Sequence, residues 1–276
     1  MFQTLNLKIT TESKLKRIDS MVICRPNGND TALIFDQDLI GGDRQLLQEQ
    51  ICKAHPNVEQ CGFIAKSQYQ ECVGKLEMFG GEFCGNATRS AVWLLTKGEV
   101  SSGYIEVSGV NKPLSFEVLE DENVKIEMPI DTNQNVEQVQ DGYIVHLEGI
   151  SHLVVPKLPI DDDNFEKTCK DLMHKYKLDQ LPACGVSFYD FDQNKSRFGV
   201  YVKSIDSFFD ETACGSGTTA IGIVNNKLNN QSVSNIIQPT GENIEFSIDS
   251  GVAYIKGKVT NLTKTSIPLD TEPKSE

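Results

Sequence analysis

Two short segments of the sequence place a cysteine in the same local context. One reads EFCGNATRSAVWLL around Cys84, and the other reads ETACGSGTTAIGIV around Cys214. In each segment an acidic residue lies two or three positions before the cysteine. Glycine, a small polar residue and an amphipathic helical pattern follow it. A thiol at the start of a helix can take part in proton transfer, so this repeated pattern predicts a catalytic pair.

The first turn of a helix explains why these residue types belong together. Its backbone N–H groups are unpaired and carry partial positive charge, so we expect a thiol there to have a pKa below that of free cysteine. The same N–H groups can bind a carboxylate, which a glycine allows to approach closely. The groups predicted to bind the substrate carboxylate are those that follow the two cysteines: Gly85, Asn86, Gly215 and Ser216.

If the two helix starts face each other, Cys84 and Cys214 address one α-carbon from opposite sides. One cysteine, as thiolate, would remove the α-proton, and the other, as thiol, would deliver a proton to the opposite face. The helix N-termini would stabilise the negative charge that builds on the carboxylate without pyridoxal phosphate. The pair therefore predicts an amino-acid racemase or epimerase that uses no cofactor and no metal.

The composition limits the other classes of function. The chain has 276 residues, a formal net charge of −13 and no cluster of basic residues, so we expect neither a nucleic-acid nor a membrane partner. The N-terminal stretch MFQTLNLKITTESKLKRID lacks the apolar core of a signal peptide, which predicts a cytoplasmic protein. The eight cysteines contain no C-x-x-C pair, and those outside the two motifs are expected to be buried apolar residues.

Short strand patterns and four helical patterns alternate irregularly along the chain, which favours a mixed α+β fold. The helical patterns are DRQLLQEQICKAH, NATRSAVWLLTKG, NFEKTCKDLMHKYKL and GSGTTAIGIVNNKL. A polar stretch, DTNQNVEQVQDG, separates two parts of similar plan. We therefore expect two halves, residues 1–134 with Cys84 and residues 135–276 with Cys214.

The two cysteine segments resemble the paired catalytic motifs of the diaminopimelate epimerase family. Other segments of the chain are also similar to that family: GND at 28–30, EQCGFI at 59–64, GISHLVVP at 149–156 and QPTGENIEF at 238–246. The resemblance implies that Asn29 and Gln60 contact the substrate. It also implies two pseudo-symmetric α+β halves, each a mixed sheet around a central helix. The active site would then lie in the cleft between the halves of a homodimer subunit, with an amino acid as substrate.

The departures from that family bear on the substrate. The stretch before the second cysteine, SIDSFFDETAC, lacks the arginine that would hold a distal carboxylate, and the loop before Cys84 is shortened to FGGEFC. These features resemble the cofactor-independent histidine racemase branch, found in opine metallophore pathways. We expect an acidic or aromatic side pocket from Asp206, Phe208, Phe209 and Asp210, suited to an imidazole. Diaminopimelate or another amino acid is the alternative substrate.

Other interpretations remain open from the sequence. GSGTTA could begin a dinucleotide-binding helix, but no acidic residue follows at the usual distance. Cys84 could pair with His152 as a nucleophile, although that would not explain the second cysteine; we expect His152 to orient the wall of the site instead. Asn86 stands where proline racemase-like enzymes carry histidine. A non-catalytic amino-acid-binding protein would need the helix starts but not two thiols. Glu211 either tunes the Cys214 thiol and the substrate loop or is a helix-entry carboxylate without a chemical role.

Two facing thiols predict sensitivity to oxidation. We expect an oxidant to inactivate the protein by joining Cys84 to Cys214, and a reductant to restore activity. Mass spectrometry of the oxidised protein would identify the bridge. Full activity of protein shown to carry it would contradict the prediction.

Overall fold

The computed structural model describes residues 17–35, 44–130, 136–158 and 163–268. In the first part of the chain its elements are β1 Arg17–Pro26, β2 Asp30–Ile34, α1 Arg44–Ala54, β3 Val58–Ala65, β4 Cys72–Met78, α2 Gly85–Leu95, β5 Ser101–Val107, β6 Leu114–Val118 and β7 Asn123–Glu127. In the second part they are β8 Glu137–Val139, β9 Gly142–Leu147, β10 Ile150–Val155, α3 Phe165–Lys175, β11 Ala183–Asp190, β12 Lys195–Val202, β13 Ser207–Glu211, α4 Gly215–Asn229, β14 Val233–Ile237, β15 Asn243–Asp249 and β16 Val252–Pro268. The fold is a mixture of strands and a few helices, which confirms the predicted class.

Eight strands close into a barrel around α2. Strands β1 to β7 pair in chain order, and β16 pairs with both β7 and β1 to complete the ring. Helix α2 contacts β1, β2, β3, β4, β6, β7 and β16. Its first eight residues are all buried, because strands surround the helix on every side. A short helix inside a barrel is thus fixed in position along its whole length.

The remaining strands continue the same sheet and surround α4. Strands β9 to β12, β14, β15 and β16 follow one another in the sheet, with β8 beside β9 and β13 beside β12. The directions repeat those of the barrel, since β2 and β10 each pair antiparallel with the strand before and parallel with the strand after. Helix α4 contacts β9, β10, β11, β14, β15 and β16.

The main hydrophobic core includes residues of both central helices, among them Ala91 of α2 and Val224 of α4. Smaller clusters lie beneath α1 and α3. The two central helices are therefore packed into one continuous core, which fixes their relative position. In the ranges described, no helix is long and apolar enough to cross a membrane.

The helix ends agree with the patterns that predicted them. Helix α2 ends where Lys97 and Gly98 adopt positive φ angles of 57° and 70°. Asp161, Asp162 and Asp163 precede the third helical pattern, where acidic residues favour a helix start, and Asp161 and Asp162 lie outside the described residues. The last seven residues, DTEPKSE, also lie outside them.

The sequence patterns missed four strands: β4, β8, β13 and β14. Strand β13 is the instructive one, because its SFFDE sequence was assigned to a side pocket. In the structure Asp206, at a positive φ of 44°, turns the chain so that β13 pairs back onto β12. The strand conformation of this segment therefore depends on its pairing with β12, and the local sequence pattern does not predict it.

Packing between α4 and β15 generates a stability prediction. A Cβ atom at Gly222 would overlap the buried ring of Phe246. Alanine favours helices over glycine by about 1 kcal/mol, but overpacking a core costs about 1–3 kcal/mol. We expect Gly222→Ala to lower the free energy of unfolding by about 1–2 kcal/mol, measured by urea denaturation. Asn229→Ala, at the exposed end of α4, is the control, and a Gly222→Ala protein more stable than the parent would contradict the packing.

Candidate active site

Cys84 and Cys214 occupy the same position at the start of their helices. Each is the N-cap residue, with φ and ψ of −129° and 112° for Cys84 and −132° and 113° for Cys214. Each sulfur accepts a hydrogen bond from the backbone N–H three residues later, from Ala87 at 3.4 Å and from Gly217 at 3.3 Å. The repeated sequence pattern thus corresponds to a repeated structure.

The two helix starts meet at their first glycines. A Cβ atom at Gly215 would lie 3.2 Å from the Cα of Gly85, and one at Gly85 would lie 3.5 Å from the Cα of Gly215. Either added atom would also come within 2.9 Å of the Ile255 side chain. A side chain at either position would crowd Ile255 of β16 and the facing glycine, so the two glycines favour this close approach.

Both cysteines line one small cavity of about 20 Å³. Its lining includes eight of the nine residues predicted to act in the site. Its full lining is Gln48, Gln60, Cys61, Phe79, Gly80, Glu82, Phe83, Cys84, Gly85, Asn86, Ile150, Val200, Val202, Ile205, Phe209, Glu211, Cys214, Gly215 and Ser216. Cys84 is 8% exposed and Cys214 is 2% exposed, so the chemistry would take place almost out of contact with water.

The carbonyl of Ala213 connects the two cysteine segments. Asn86 Nδ2 donates to it at 2.6 Å and Asn29 Nδ2 at 3.2 Å. Arg89 in turn donates to Asn86 Oδ1 at 2.7 Å and to Asn27 Oδ1 at 2.5 Å. An asparagine from the first motif therefore holds the residue before the second cysteine in place.

A chain of hydrogen bonds connects the two thiols across the cavity. The Cys84 thiol donates to Gln60 Oε1 at 2.7 Å, and Gln60 Nε2 donates to Glu211 Oε1. Glu211 is also hydrogen-bonded to the Cys214 thiol. The Glu211 carboxylate is thus in contact with one sulfur directly and with the other through a single amide.

Burial reverses the expected effect of the helix start on the thiols. Desolvation raises the pKa of both Cys84 and Cys214 well above that of free cysteine, and the Glu211 carboxylate raises both further. The backbone N–H groups lower these pKa values but are outweighed. The prediction of a depressed thiol pKa is therefore wrong for the site as it stands, because a closed cavity removes the water that would solvate a thiolate.

The acidic residues around the thiols are also perturbed. Burial raises the pKa of Glu211 to about 8 and that of Glu59 to about 7. Glu59 accepts hydrogen bonds from Asn29 Nδ2 at 2.7 Å and from the backbone N–H of Thr212 at 3.1 Å. Burial thus raises the pKa of both carboxyl groups, and Glu211 is the one hydrogen-bonded to the Cys214 thiol.

His152 lies behind the Cys214 loop. Its Nε2 is 2.9 Å from Ser216 Oγ and its Nδ1 is 3.0 Å from Ser187 Oγ. The ring is fully buried, which lowers its pKa to about 3 and keeps it neutral. His152 thus orients Ser216 through a hydrogen bond, as predicted, and its two described partners are serines and not Cys84.

The expected side pocket is wrong in most of its residues. Phe209 lines the cavity, but Phe208 packs against Phe165, and Asp206 and Asp210 contact Tyr201 and Arg197. The reason is β13, where alternate side chains point to opposite faces. The acidic residues that line the cavity are Glu82 and Glu211, the same two that precede the cysteines.

Asn29 does not line the cavity. It is fully buried beneath the Cys214 loop, where it bonds Glu59 and Ala213, and direct contact with a substrate stays a prediction. Sequence reasoning assigned no role to Gln238, whose Oε1 accepts from the Cys214 backbone N–H at 3.0 Å, or to Arg89 and Glu82. Arg89 and Glu82 stood inside the quoted motifs, so their position beside the cysteines was an available signal. Across the described ranges no three His, Cys, Asp or Glu side chains are grouped to hold a metal ion.

Known proteins share this sequence and this fold. Residues 20–265 match the family described as the histidine racemase CntK N-terminal domain. A histidine racemase of Fusobacterium nucleatum subsp. nucleatum is 33% identical over 271 residues, covering 93% of this chain and 98% of that protein. A histidine racemase of Staphylococcus aureus is 25% identical over 233 residues, covering 78% and 84%.

Similarity of fold extends to more distant enzymes. The crystal structure of a probable proline racemase from Agrobacterium radiobacter K84 superposes with a TM-score of 0.61 at 12% identity, covering 91% of this chain and 93% of that one. With the family match over most of its length and a relative at 33% identity, the chain belongs to the histidine racemase family.

Proposed function

We propose that this protein interconverts L- and D-histidine by a two-base mechanism, with Cys84 and Cys214 as the bases. The observation that carries the proposal is the meeting of two helix N-termini, each capped by a cysteine that lines the same buried cavity. An α-carbon between the two sulfurs is open to a thiol on each face. The histidine racemase relatives support histidine as the substrate.

The helix starts would bind the substrate carboxylate. The N–H groups at Gly85, Asn86, Gly215 and Ser216 belong to the first turns of α2 and α4. Their partial positive charge would become more favourable as the α-proton leaves, because negative charge then accumulates on the carboxylate. In a cavity from which water is excluded this stabilisation is stronger than in solution.

Proton movement balances as follows. Glu211 accepts the proton of Cys214, whose thiolate then removes the α-proton of one enantiomer. The Cys84 thiol delivers its proton to the opposite face of the planar intermediate, leaving Cys84 as thiolate. The reverse reaction uses the cysteines in exchanged roles. Return of one proton from Glu211 to Cys84 then restores the starting state. Gln60, hydrogen-bonded to both groups, holds them in place but does not itself relay the proton.

The larger organisation belongs to the same proposal. The repeated order of strands supports two pseudo-symmetric halves, about residues 1–134 and 135–276, with the site in the cleft between them. Strand β16 would then be shared, since it pairs with strands of both parts. A homodimer in the cytoplasm that requires no cofactor is the remainder of the proposal, and it rests on the family resemblance and on the charge of the chain.

Diaminopimelate is the second candidate substrate, and the cavity argues against it. No lysine or arginine appears among the lining residues that the structure describes, whereas two glutamates do. A distal carboxylate would therefore meet like charge without a cationic partner. The histidine side chain instead offers ring N–H groups and an aromatic surface to the cavity lining that contains the two glutamates.

Solvent exchange tests the mechanism. In D₂O we expect D-histidine formed from L-histidine to carry deuterium from its first appearance, while the remaining L-histidine stays protiated early on. The reason is that different thiols remove and deliver the proton. Cys84→Ala and Cys214→Ala should each reduce racemisation at least about a thousand-fold, as followed by NMR and chiral chromatography.

Cys72→Ala is the matched control, since Cys72 lies on β4 away from the cavity lining. Protiated D-histidine in the first turnovers would indicate a single base. Histidine binding without exchange in the parent protein would instead favour a binding protein, and activity on diaminopimelate alone would overturn the substrate.

Removal of the Glu211 charge should lower the pKa of both thiols. Because this carboxylate raises the pKa of both Cys84 and Cys214, Glu211→Gln should shift the pH midpoint of their alkylation by iodoacetamide downward. Racemisation should fall at the same time, since Cys214 loses its proton acceptor. Alkylation at each cysteine is measured by mass spectrometry, with exposed Glu71→Gln as the control. A midpoint that stays or rises would contradict the assigned role.

A further inference from the structure

Glu82 lines the cavity and has one carboxylate oxygen without a hydrogen-bond partner among the described residues, although the backbone N–H groups of Gly80 and Glu82 and the charge of Arg44 act on the carboxyl group. Its Oε2 atom is buried and has no hydrogen-bond partner, although the residue as a whole is partly exposed. It lines the same cavity as Cys84 and Glu211. A buried and unpaired carboxylate oxygen is costly to a fold, and such a group in a cavity indicates that a ligand supplies the missing donor.

The backbone holds Glu82 in place. Ser108 Oγ donates to the Glu82 carbonyl at 2.8 Å and accepts from the Met78 backbone N–H at 2.9 Å. Gly109, at a φ of 73°, packs so closely that an added Cβ would lie 2.8 Å from the Glu82 carbonyl carbon. The unpaired oxygen is therefore presented by a fixed loop, as a preorganised binding group requires.

Glu82 is not needed for chemistry at the α-carbon. Glu211 already contacts Cys214 directly and Cys84 through Gln60. Glu82 raises the pKa of Cys84 less than Glu211 does, and no described hydrogen bond joins its carboxylate to either sulfur. It lies instead on a wall with Phe79 and Phe83, where a substrate side chain would extend.

We propose that Glu82 recognises the side chain of the substrate by accepting a hydrogen bond from an imidazole N–H. This inference rests on the proposed function, because it takes histidine as the substrate. Every protonation state of a neutral or cationic imidazole offers at least one N–H donor. An aliphatic side chain would leave the Glu82 oxygen unpaired, and a carboxylate would repel it, so one residue would reject both classes.

The titration of Glu82 is suited to this partner. Burial raises the pKa of Glu82 to about 7, close to the value of about 6.5 for free imidazole. A ring and a carboxyl with similar pKa values can share a proton, so the contact survives whichever group carries it. The same burial would make the contact stronger than in water.

The test compares ligands that separate the ring from the amine. Glu82→Gln keeps the shape of the side chain and removes its charge. We expect it to raise the KM for L-histidine and the inhibition constant of imidazolepropionate, which has the ring but no amine, by the same factor of about ten to a hundred. The thermal unfolding temperature should not fall. Loss of a carboxylate that stabilises the fold would lower it, whereas loss of an unpaired carboxylate would not. Glu71→Gln is the matched control.

A second measurement reads the ring directly. Histidine labelled with ¹⁵N in the imidazole is bound to Cys84→Ala protein, which cannot turn it over, with and without Glu82→Gln. We expect the ring ¹⁵N shifts to move when the charge is removed. Unchanged shifts, or weaker binding of histidine with unchanged binding of imidazolepropionate, would overturn the inference and assign Glu82 elsewhere. Failure of the parent protein to exchange histidine would overturn the proposed function first.

Discussion

The contact between Gly85 and Gly215 is the constraint on which the rest of the structure depends. Two helix N-termini repel each other through their partial positive charges, and they are brought together here by a continuous core and by β16 beneath them. The surroundings follow from that contact. Asn86 and Asn29 hold the Ala213 carbonyl, and Gln238 caps the Cys214 backbone N–H, so that polar groups displaced by the approach are satisfied. A carboxylate bound between the two N-termini would complete the balance of charge.

The same closeness explains why the thiols are not activated by position alone. A helix start lowers the pKa of an exposed cysteine, but at Cys84 and Cys214 desolvation is the larger effect. A site of this kind keeps both sulfurs protonated until a substrate and a neighbouring base change the field around them. Glu211, itself held near neutral pH by burial, is the group best placed to do so. In the proposed mechanism the reactive thiolate would therefore form during substrate binding and would not be present in the resting protein.

Local patterns predicted much of the fold and the centre of the site. The two cysteine segments became matching N-caps because cysteine, glycine and an apolar helix are a local signal that needs no knowledge of distant residues. The positions of residues that depend on tertiary contacts cannot be predicted from such local patterns. Asp206 and Asp210 are expected in a side pocket because their stretch lacks the arginine that the related family carries there. The turn at Asp206 and the pairing of β13 with β12 instead place both side chains on the exposed face. Gln238 accepts a hydrogen bond from the backbone N–H of Cys214, which lies far from it in sequence, and no spacing rule could have identified that contact.

Strand β16 carries a consequence for how the molecule is made. It spans Val252–Pro268, at the far end of the chain, and yet it supplies the strand that closes the barrel begun by β1. During synthesis the first seven strands must therefore wait for nearly the whole chain to emerge before their ring can close. Contacts of such large sequence separation slow folding and leave strand edges open in the meantime. Ile255, on this late strand, also lies under the two glycines, so the candidate site cannot be complete until the end of the chain has been synthesised.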